Sequence, residues 1–512
     1  MQILPGSVLS VFRRGWEMLF PVAHVSESLM SPHQNNIFEA FTSVSHYQSV
    51  RNASVDEAYE HNNIARKARG DIGMGQAIDA KDTPIASPGS NRHVWAAGIA
   101  SVLGWSLDLF DLFVLLYIAP TISELFFPSH SPTLSLASVY ASFAVTLLMR
   151  PVGSGIFGSY ADRKGRRITL FVSIAGVGLS TGALGLLPTY AQAGAAGPIL
   201  FILMRLIQGV FVGGVVASTH TLGTETVAPK LRGLFSGIMA SGAGLGALLA
   251  SAVFAIVSHI YQGPSFGEFG WRIMFLSGTV ASGLSLLVFL SIEESPLWQA
   301  SRAHSAIKKP VRELFSASYR RVLWLNVMLT VGIAGTYYLT AGFLPTFLLK
   351  IVNLPRADLG FVLIVSSLVM VVGSPFIGHF SEIVGRRRAL QVTGVINLIG
   401  LPLLYLILAQ VGPDNLKKVT LLASLISLVG NAGCSIVLIY LNERFPTVIR
   451  STGTALSWNI GFACGGMMPT FVVLASGSMA GIRSSLIVFL IVMNLLLLIG
   501  AVITAETRGS FK

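Results

Sequence analysis

The sequence predicts an all-α membrane protein of twelve spanning helices in two six-helix halves. Three observations carry that reading: recurring apolar stretches long enough to cross a bilayer, a lopsided placement of Lys and Arg between them, and a repeated sixteen-residue block.

The apolar stretches come first. The chain has 512 residues, 53% hydrophobic and only 11% charged, against about 25% charged in a soluble domain. Its mean hydropathy is +0.69. A helix of about 20 apolar residues spans the hydrocarbon core. Such spans are read at roughly 95–120, 134–158, 168–188, 197–221, 233–258, 272–292, 321–348, 357–380, 389–410, 418–441, 451–476 and 484–504. Short linkers make neighbouring helices antiparallel. Residues 1–92 are polar and turn-rich and read as a disordered cytoplasmic extension. The two halves are 93–292 and 321–505, joined by a cytoplasmic linker at 293–320; 506–512 form a cytoplasmic tail.

Charge placement supports the count. With the amino terminus inside, inner segments hold 27 Lys and Arg and outer loops hold 6; Arg150 and Arg205 within spans complete the 35. Positive residues concentrate on the cytoplasmic side, so both termini are expected there, in a multi-pass protein of the plasma membrane (the inner membrane of a bacterium). The same bias accounts for the net charge of +12 without a nucleic-acid partner.

The repeat sets the architecture. "VGSGIFGSYADRKGRR" begins at Val152 and "VGSPFIGHFSEIVGRR" at Val372, an ungapped match at an offset of 220. Gly158 pairs with Gly378, Asp162 with Glu382 and Gly165 with Gly385. Each block lies between the second and third span of its half and reads as a cytoplasmic turn. Two parallel six-helix repeats are the layout of a large class of secondary transporters.

Four charged residues lie at bilayer depth, where a charge costs about 2.5–3.5 kcal/mol: Asp108, Asp111, Arg150 and Arg205. Asp108 and Asp111 are three apart and share a helix face. Burial and mutual repulsion favour the protonated acid, so either could exchange a proton, Asp111 first. The alternative is a fixed Asp–Arg pair that only joins helices. Arg205 offers a planar fork to a carboxylate, or pairs with Asp108 or Asp111. Arg150 either meets a substrate from the inner side or reaches toward the headgroups. Polar and aromatic residues within spans are further cavity candidates: Trp105, Gln208, Asn326, Tyr337, Tyr338, Asn431, Trp458 and Asn459. Interhelical hydrogen bonding explains each amide equally well. "GAGLGA" at Gly242 sits in an apolar span and is not a dinucleotide loop. No Walker lysine motif, catalytic triad or zinc spacing is seen, so neither an enzyme nor a cofactor is expected.

"GSYADRKGRR" resembles the signature loop of the major facilitator superfamily, and "RLIQGVFVGG" its second motif. "LMRPVGSGIFGSYADRKGRR", "GWRIMFLSG", "EESPLWQ", "LTAGFLPTFLLK" and "WNIGFACGGMMPT" resemble the metabolite:proton symporters. "GWSLDLFDLFVLLYIAP" also resembles the monocarboxylate and sialate:proton symporters. The resemblance implies proton symport of a small metabolite, an organic anion or an osmolyte such as proline or betaine, with H+ as coupling ion. It links Arg205 to proton coupling and supports Tyr337, Tyr338 and Asn459 as residues near the substrate. It also implies a conformational latch at Gly158, Asp162, Arg163, Gly165, Arg166 and Arg167. The second latch is Gly378, Glu382, Gly385 and Arg386, with Glu225, Arg232, Glu443 and Arg450 beside them. The partners expected are a small solute and the lipid bilayer; no obligate protein partner is inferred. A proton-independent uniporter or exchanger and a non-transporting solute sensor are the alternatives.

Overall fold

The computed structural model describes residues 91–164, 166–216, 229–290 and 313–509, all within one unit, Pro88–Lys512. Residues 1–90 of the extension, Gly165, Glu225 and most of the central linker lie outside the described residues, as do the side chains of Asp108 and of residues 158–167.

Apolar stretches become helices because hydrocarbon offers no partner for a backbone N–H or C=O, and the helix satisfies them internally. The first half is α1 (Asn91–Phe126), α2 (Pro132–Lys164), α3 (Arg166–Leu186), α4 (Ala196–Val216), α5 (Arg232–Ile260) and α6 (Trp271–Leu290). The second half opens with α7 (Ala317–Tyr337), which passes through a π turn at Tyr338–Gly342 into Leu344–Lys350. There follow α8 (Arg356–Val384), α9 (Arg386–Leu408), α10 (Leu416–Arg444), α11 (Thr447–Gly466, continued by Met468–Ser476) and α12 (Ile482–Ile503). Ten of these are long and apolar enough, over described residues, to cross a membrane; α3 and α6 complete the twelve. Large apolar side chains such as Leu179, Val280 and Phe376 face outward, the surface that lipid covers.

Packing repeats with the sequence. In the first half α1 lies on α5, α2 on α4 and α3 on α6; in the second, α7 on α11, α8 on α10 and α9 on α12. The halves meet chiefly along α5 and α8, and along the pseudo-equivalent α2 and α11. The α5–α8 seam is close because small residues line it. A Cβ placed on Gly378 would lie 2.4 Å from the carbonyl oxygen of Gly233, and one on Gly360 would lie 2.7 Å from the Cβ of Ala255. These two contacts lie at opposite ends of the helices.

Two boundaries differ from the sequence reading. α1 starts at Asn91 and α7 at Ala317, inside stretches read as extension and linker. More important, "GSYADRK" is not a turn: α2 runs through Lys164 and α3 begins at Arg166. The second copy behaves alike, with Gly385 alone between α8 and α9 at φ 97°. A left-handed φ is strained for any residue with a Cβ and open to glycine. The chain therefore reverses at one residue, and the charges of both blocks sit on helical turns.

Candidate functional site

The buried polar centre lies within the first half. Close approach of α2 and α4 builds it. A Cβ on Gly209 would lie 2.3 Å from the Thr146 carbonyl oxygen, and one on Gly213 would lie 2.2 Å from that of Arg150. This proximity places Arg150 of α2 beside Arg205 of α4, both buried. Asp111 of α1 and Arg150 are the charges that act on Arg205. Thr146 Oγ1 donates to the Arg205 carbonyl oxygen at 3.1 Å.

Gln208 ties this centre together. Arg205 Nη1 donates to its Oε1. Its Nε2 donates to Asp111 Oδ2 and, at 2.7 Å, to Thr181 Oγ1. Thr181 Oγ1 in turn lies 2.5 Å from Asp111 Oδ1 and 2.8 Å from the Val177 carbonyl oxygen. Asp111 is 6% exposed, Arg205 1%, and Gln208 and Thr181 0%. α1, α3 and α4 thus converge on one carboxylate. Arg205 Nε has no hydrogen-bond partner among the described residues. A buried guanidinium donor in that condition suits an anionic ligand. Arg150 is 5% exposed, which places it in the interior and not at the surface where headgroups lie.

An aromatic cluster closes the space between the halves. Tyr337 and Tyr338 stand at the π turn of α7, both buried; such turns interrupt helices at functional sites in many proteins. Tyr337 packs on Phe113 of α1 and Phe462 of α11. Tyr338 packs on Phe143 of α2 and on Phe462. Trp458 stacks on Phe462 at 3.9 Å and meets Trp105 edge-on at 5.6 Å. Asn459 is buried, and its Oδ1 has no hydrogen-bond partner among the described residues. Asn326 is fully buried with neither side-chain atom partnered there. Asn431 does what an interhelical amide does: its Nδ2 donates to Ser374 Oγ on α8 at 2.9 Å. The structure therefore brings Asp111, Arg150, Arg205 and Gln208 together and groups the tyrosines with Trp105 and Trp458.

A second charged centre lies at the Gly385 end. Arg386, 1% exposed, donates from Nη2 to Glu382 at 2.6 Å and to Glu443 at 3.4 Å. Its Nη1 donates to Ser381 Oγ at 2.9 Å. Thr507 Oγ1 donates to Glu443 Oε2 at 2.6 Å. Arg450 donates from Nε to the carbonyls of Asn442 and Phe445, and Arg232 lies within the field of the same acids. At this end the backbone N–H of Gly233, in the first turn of α5, reaches across the halves and donates to Glu382 Oε2 at 2.9 Å. A carboxylate at a helix amino terminus is favourable. Of the first-copy residues, Gly158, Asp162, Arg163, Arg166 and Arg167 lie on helices but their side chains, with Gly165 and Glu225, lie outside the described residues.

Sequence reasoning missed two participants. Thr181 resembles any small polar residue in an apolar span. Glu506, just past α12, accepts from the backbone N–H groups of Arg386, Arg387, Thr507 and Arg508. Burial raises the Glu506 carboxyl, but those four donors outweigh it and hold the group below its ordinary value. The only available signal was an acid one turn beyond a span. At the opposite end of the bundle Lys350 pairs with Glu124 at 3.0 Å, and Tyr140 and Thr346 hydroxyls meet at 2.8 Å.

Comparison with known proteins shows the family and the fold. A family model described as Major Facilitator Superfamily matches residues 94–468. The chain is 29% identical over 419 residues to the inner membrane metabolite transport protein YhjE of Escherichia coli K12, covering 80% of this chain and 94% of that protein. It is 27% identical over 403 residues to the proline/betaine transporter of Salmonella typhimurium, covering 77% and 79%. Among solved structures it resembles the proton:xylose symporter XylE bound to 6-bromo-6-deoxy-D-glucose, with TM-score 0.66, 17% identity and coverage of 82% and 97%. A partially occluded inward-open form of XylE from E. coli gives TM-score 0.62 at 18% identity, covering 82% and 99%.

Proposed function

The chain belongs to the Major Facilitator Superfamily, and from that premise we propose that it is a proton symporter of a small carboxylate-bearing metabolite or zwitterionic osmolyte, working by alternating access. That the family is one of transporters and not enzymes bears on every residue role below.

The observation that carries the reading is the buried chain Asp111–Gln208–Arg205 with Arg150 beside it. It supplies one group that takes a proton and two that attract an anion, in contact through a single side chain. Asp111 is the proton site. Arg205 and Arg150 bind the carboxylate, and Tyr337, Tyr338 and Asn459 form the wall contributed by the second half. Protonation of Asp111 removes a negative charge from beside Arg205, so proton and anion favour each other's binding. Each ligand shifts the equilibrium between facing states only by its differential affinity, and this mutual preference is what makes the doubly loaded carrier the one that turns over.

The Lys- and Arg-rich Gly385 end is the cytoplasmic end, and both termini are cytoplasmic in a plasma-membrane protein. Glu382 on the α5 amino terminus holds that end shut. By the repeat, Asp162 is the counterpart of Glu382 and carries the same latch role in the first half. The relatives named for metabolite and proline/betaine transport support a small-solute substrate.

The test is uptake in proteoliposomes under an imposed pH gradient, with proline, betaine, α-ketoglutarate and citrate as probes. Symport predicts accumulation driven by an acidic exterior and alkalinisation of the exterior on solute addition. Uptake with no pH change would establish uniport or exchange, and binding without flux a sensor.

A further inference from the structure

We infer that Thr181 and Gln208 are positioning residues that hold Asp111 in both of its protonation states, with the Thr181 hydroxyl turning between two acceptors as the proton comes and goes. The inference rests on Asp111 being the proton site, and its test separates the two.

A carrier must pass through the bilayer interior with its acid charged in one part of the cycle and neutral in another. A buried polar atom without a partner is costly, so both forms need one. The charged form uses donors only: Thr181 Oγ1 donates to Oδ1 at 2.5 Å and Gln208 Nε2 donates to Oδ2. The neutral form carries a hydrogen that must itself be accepted. Thr181 supplies the acceptor because its hydroxyl has a second place to donate, the Val177 carbonyl oxygen at 2.8 Å on its own helix. When Asp111 takes a proton on Oδ1, that O–H donates to Thr181 Oγ1 and the Thr181 hydrogen swings to Val177. A hydroxyl donates once and accepts twice, which the arrangement uses in full. No side chain needs to move.

Gln208 cannot turn over in the same way. Its Oε1 faces the Arg205 guanidinium, a donor only, and its Nε2 faces the carboxylate. A flipped amide would set its NH2 against a cation and its oxygen against an anion. The fixed amide keeps Arg205 and Asp111 in one frame. On protonation the Gln208–Asp111 bond loses its charge assistance, and the hold on Arg205 weakens at the moment an incoming carboxylate needs it.

Asp111 and Arg205 on α4 act on each other, and Arg150 on α2 acts in turn on Arg205. On α6, a Cβ placed on Gly278 would lie 3.4 Å from Asp111 Oδ1. α5 faces α1 with Gly242, Gly246 and Ser251, and α7 with Tyr337. Asp108 is one turn earlier, with its side chain outside the described residues.

The experiment is pH-titrated infrared difference spectroscopy of the full-length protein in lipid bilayers, with no solute added. The carboxylic-acid C=O band of Asp111 is identified by its loss in Asp111→Asn. Thr181→Val, nearly isosteric, removes a donor to the charged form. It should raise the midpoint of that band by about one pH unit, about ten-fold in proton affinity, and move the band toward that of a carboxyl with no acceptor. Thr181→Ser should restore both. Gln208→Leu should raise the midpoint while leaving the acceptor-dependent band position in place. If Asp111→Asn removes no band, Asp111 is not the proton site and the inference falls with that reading. If the Asp111 band is present but Thr181→Val and Gln208→Leu leave midpoint and position unchanged, the proton-site reading stands and the inference is overturned.

Discussion

Gly378→Ala should open the Gly385 end of the bundle. The added methyl would lie 2.4 Å from the Gly233 carbonyl oxygen, 2.6 Å from the Gly237 nitrogen and 2.7 Å from the Gly237 Cα. All three are backbone atoms of α5 and have no rotamer to escape into. Restoring an ordinary contact of 3.4 Å requires α5 and α8 to part by about 1 Å. The Gly233 N to Glu382 Oε2 bond, 2.9 Å in the structure, would then stretch to ~3.9 Å, past hydrogen-bond range. Overpacking costs about 1–3 kcal/mol, and a lost bond to a charged acceptor about 1.5–3 kcal/mol. The two overlap, since parting the helices relieves the first by incurring the second. A penalty of about 2–4 kcal/mol on the seam-closed state is therefore expected, roughly 30-fold to several-hundred-fold in the equilibrium. The assay is maleimide labelling of Ser374→Cys, a buried position whose backbone carbonyl oxygen lies against Gly237, in a background with Cys434 and Cys464 replaced by Ser. Labelling should rise at least ten-fold with Gly378→Ala and stay level with Gly283→Ala, where a Cβ meets nothing within 4 Å. Equal labelling in all three proteins, with turnover unchanged, would refute the reasoning.

The remaining predictions follow from single groups. Asp111→Asn should abolish gradient-driven accumulation in proteoliposomes while solute exchange persists, because the site is kept and only the proton is lost. Arg205→Lys keeps the charge but not the fork, and should weaken solute affinity about ten-fold or more in a binding titration. Glu506 has a lowered folded value, so its contribution to stability is complete above its unfolded value near 4.5 and is lost as pH falls through the lowered folded one. Thermal unfolding in detergent should therefore show a smaller loss of Tm on acidification for Glu506→Gln than for the parent. Lys350→Gln should change Tm by little, because the Glu124–Lys350 pair is 63% and 36% exposed and exposed pairs contribute about 0–1 kcal/mol.

The helices were legible because lipid imposes a simple rule on the chain: an apolar run must be a helix. The 220-residue repeat marked the reversal at Gly385, where small size and a left-handed φ together leave glycine as the residue that fits. The extent of helix was not legible. "SYADRK" is charged, and charge argues for a loop unless one knows that the helix protrudes beyond the hydrocarbon. Asp111, Arg205 and Gln208 stood out because polar groups are rare in spans. Thr181 did not, since a threonine in a helix satisfies itself on its own i−4 carbonyl, here Val177. Only the tertiary fold brings Asp111 to the other side of that hydroxyl. The division of α7 at Tyr338–Gly342 was written faintly in "GFLP", where Pro345 opens the second piece.

Gly385 has a mechanical consequence. One residue contributes two soft dihedrals, and the neighbours of Gly385 are already committed to helices. α8 and α9 are therefore linked like two bars on a stiff pin, while α1 and α2 share the five-residue span 127–131 and its slack. Glu506 adds a second fastening, joining the exit of α12 to the first amides of α9. A tilt of α8 at the seam is thereby delivered to α9 and α12 on the far side of the half without lost motion. Lengthening that pin by a few glycines would leave every buried contact in place and still slacken the linkage.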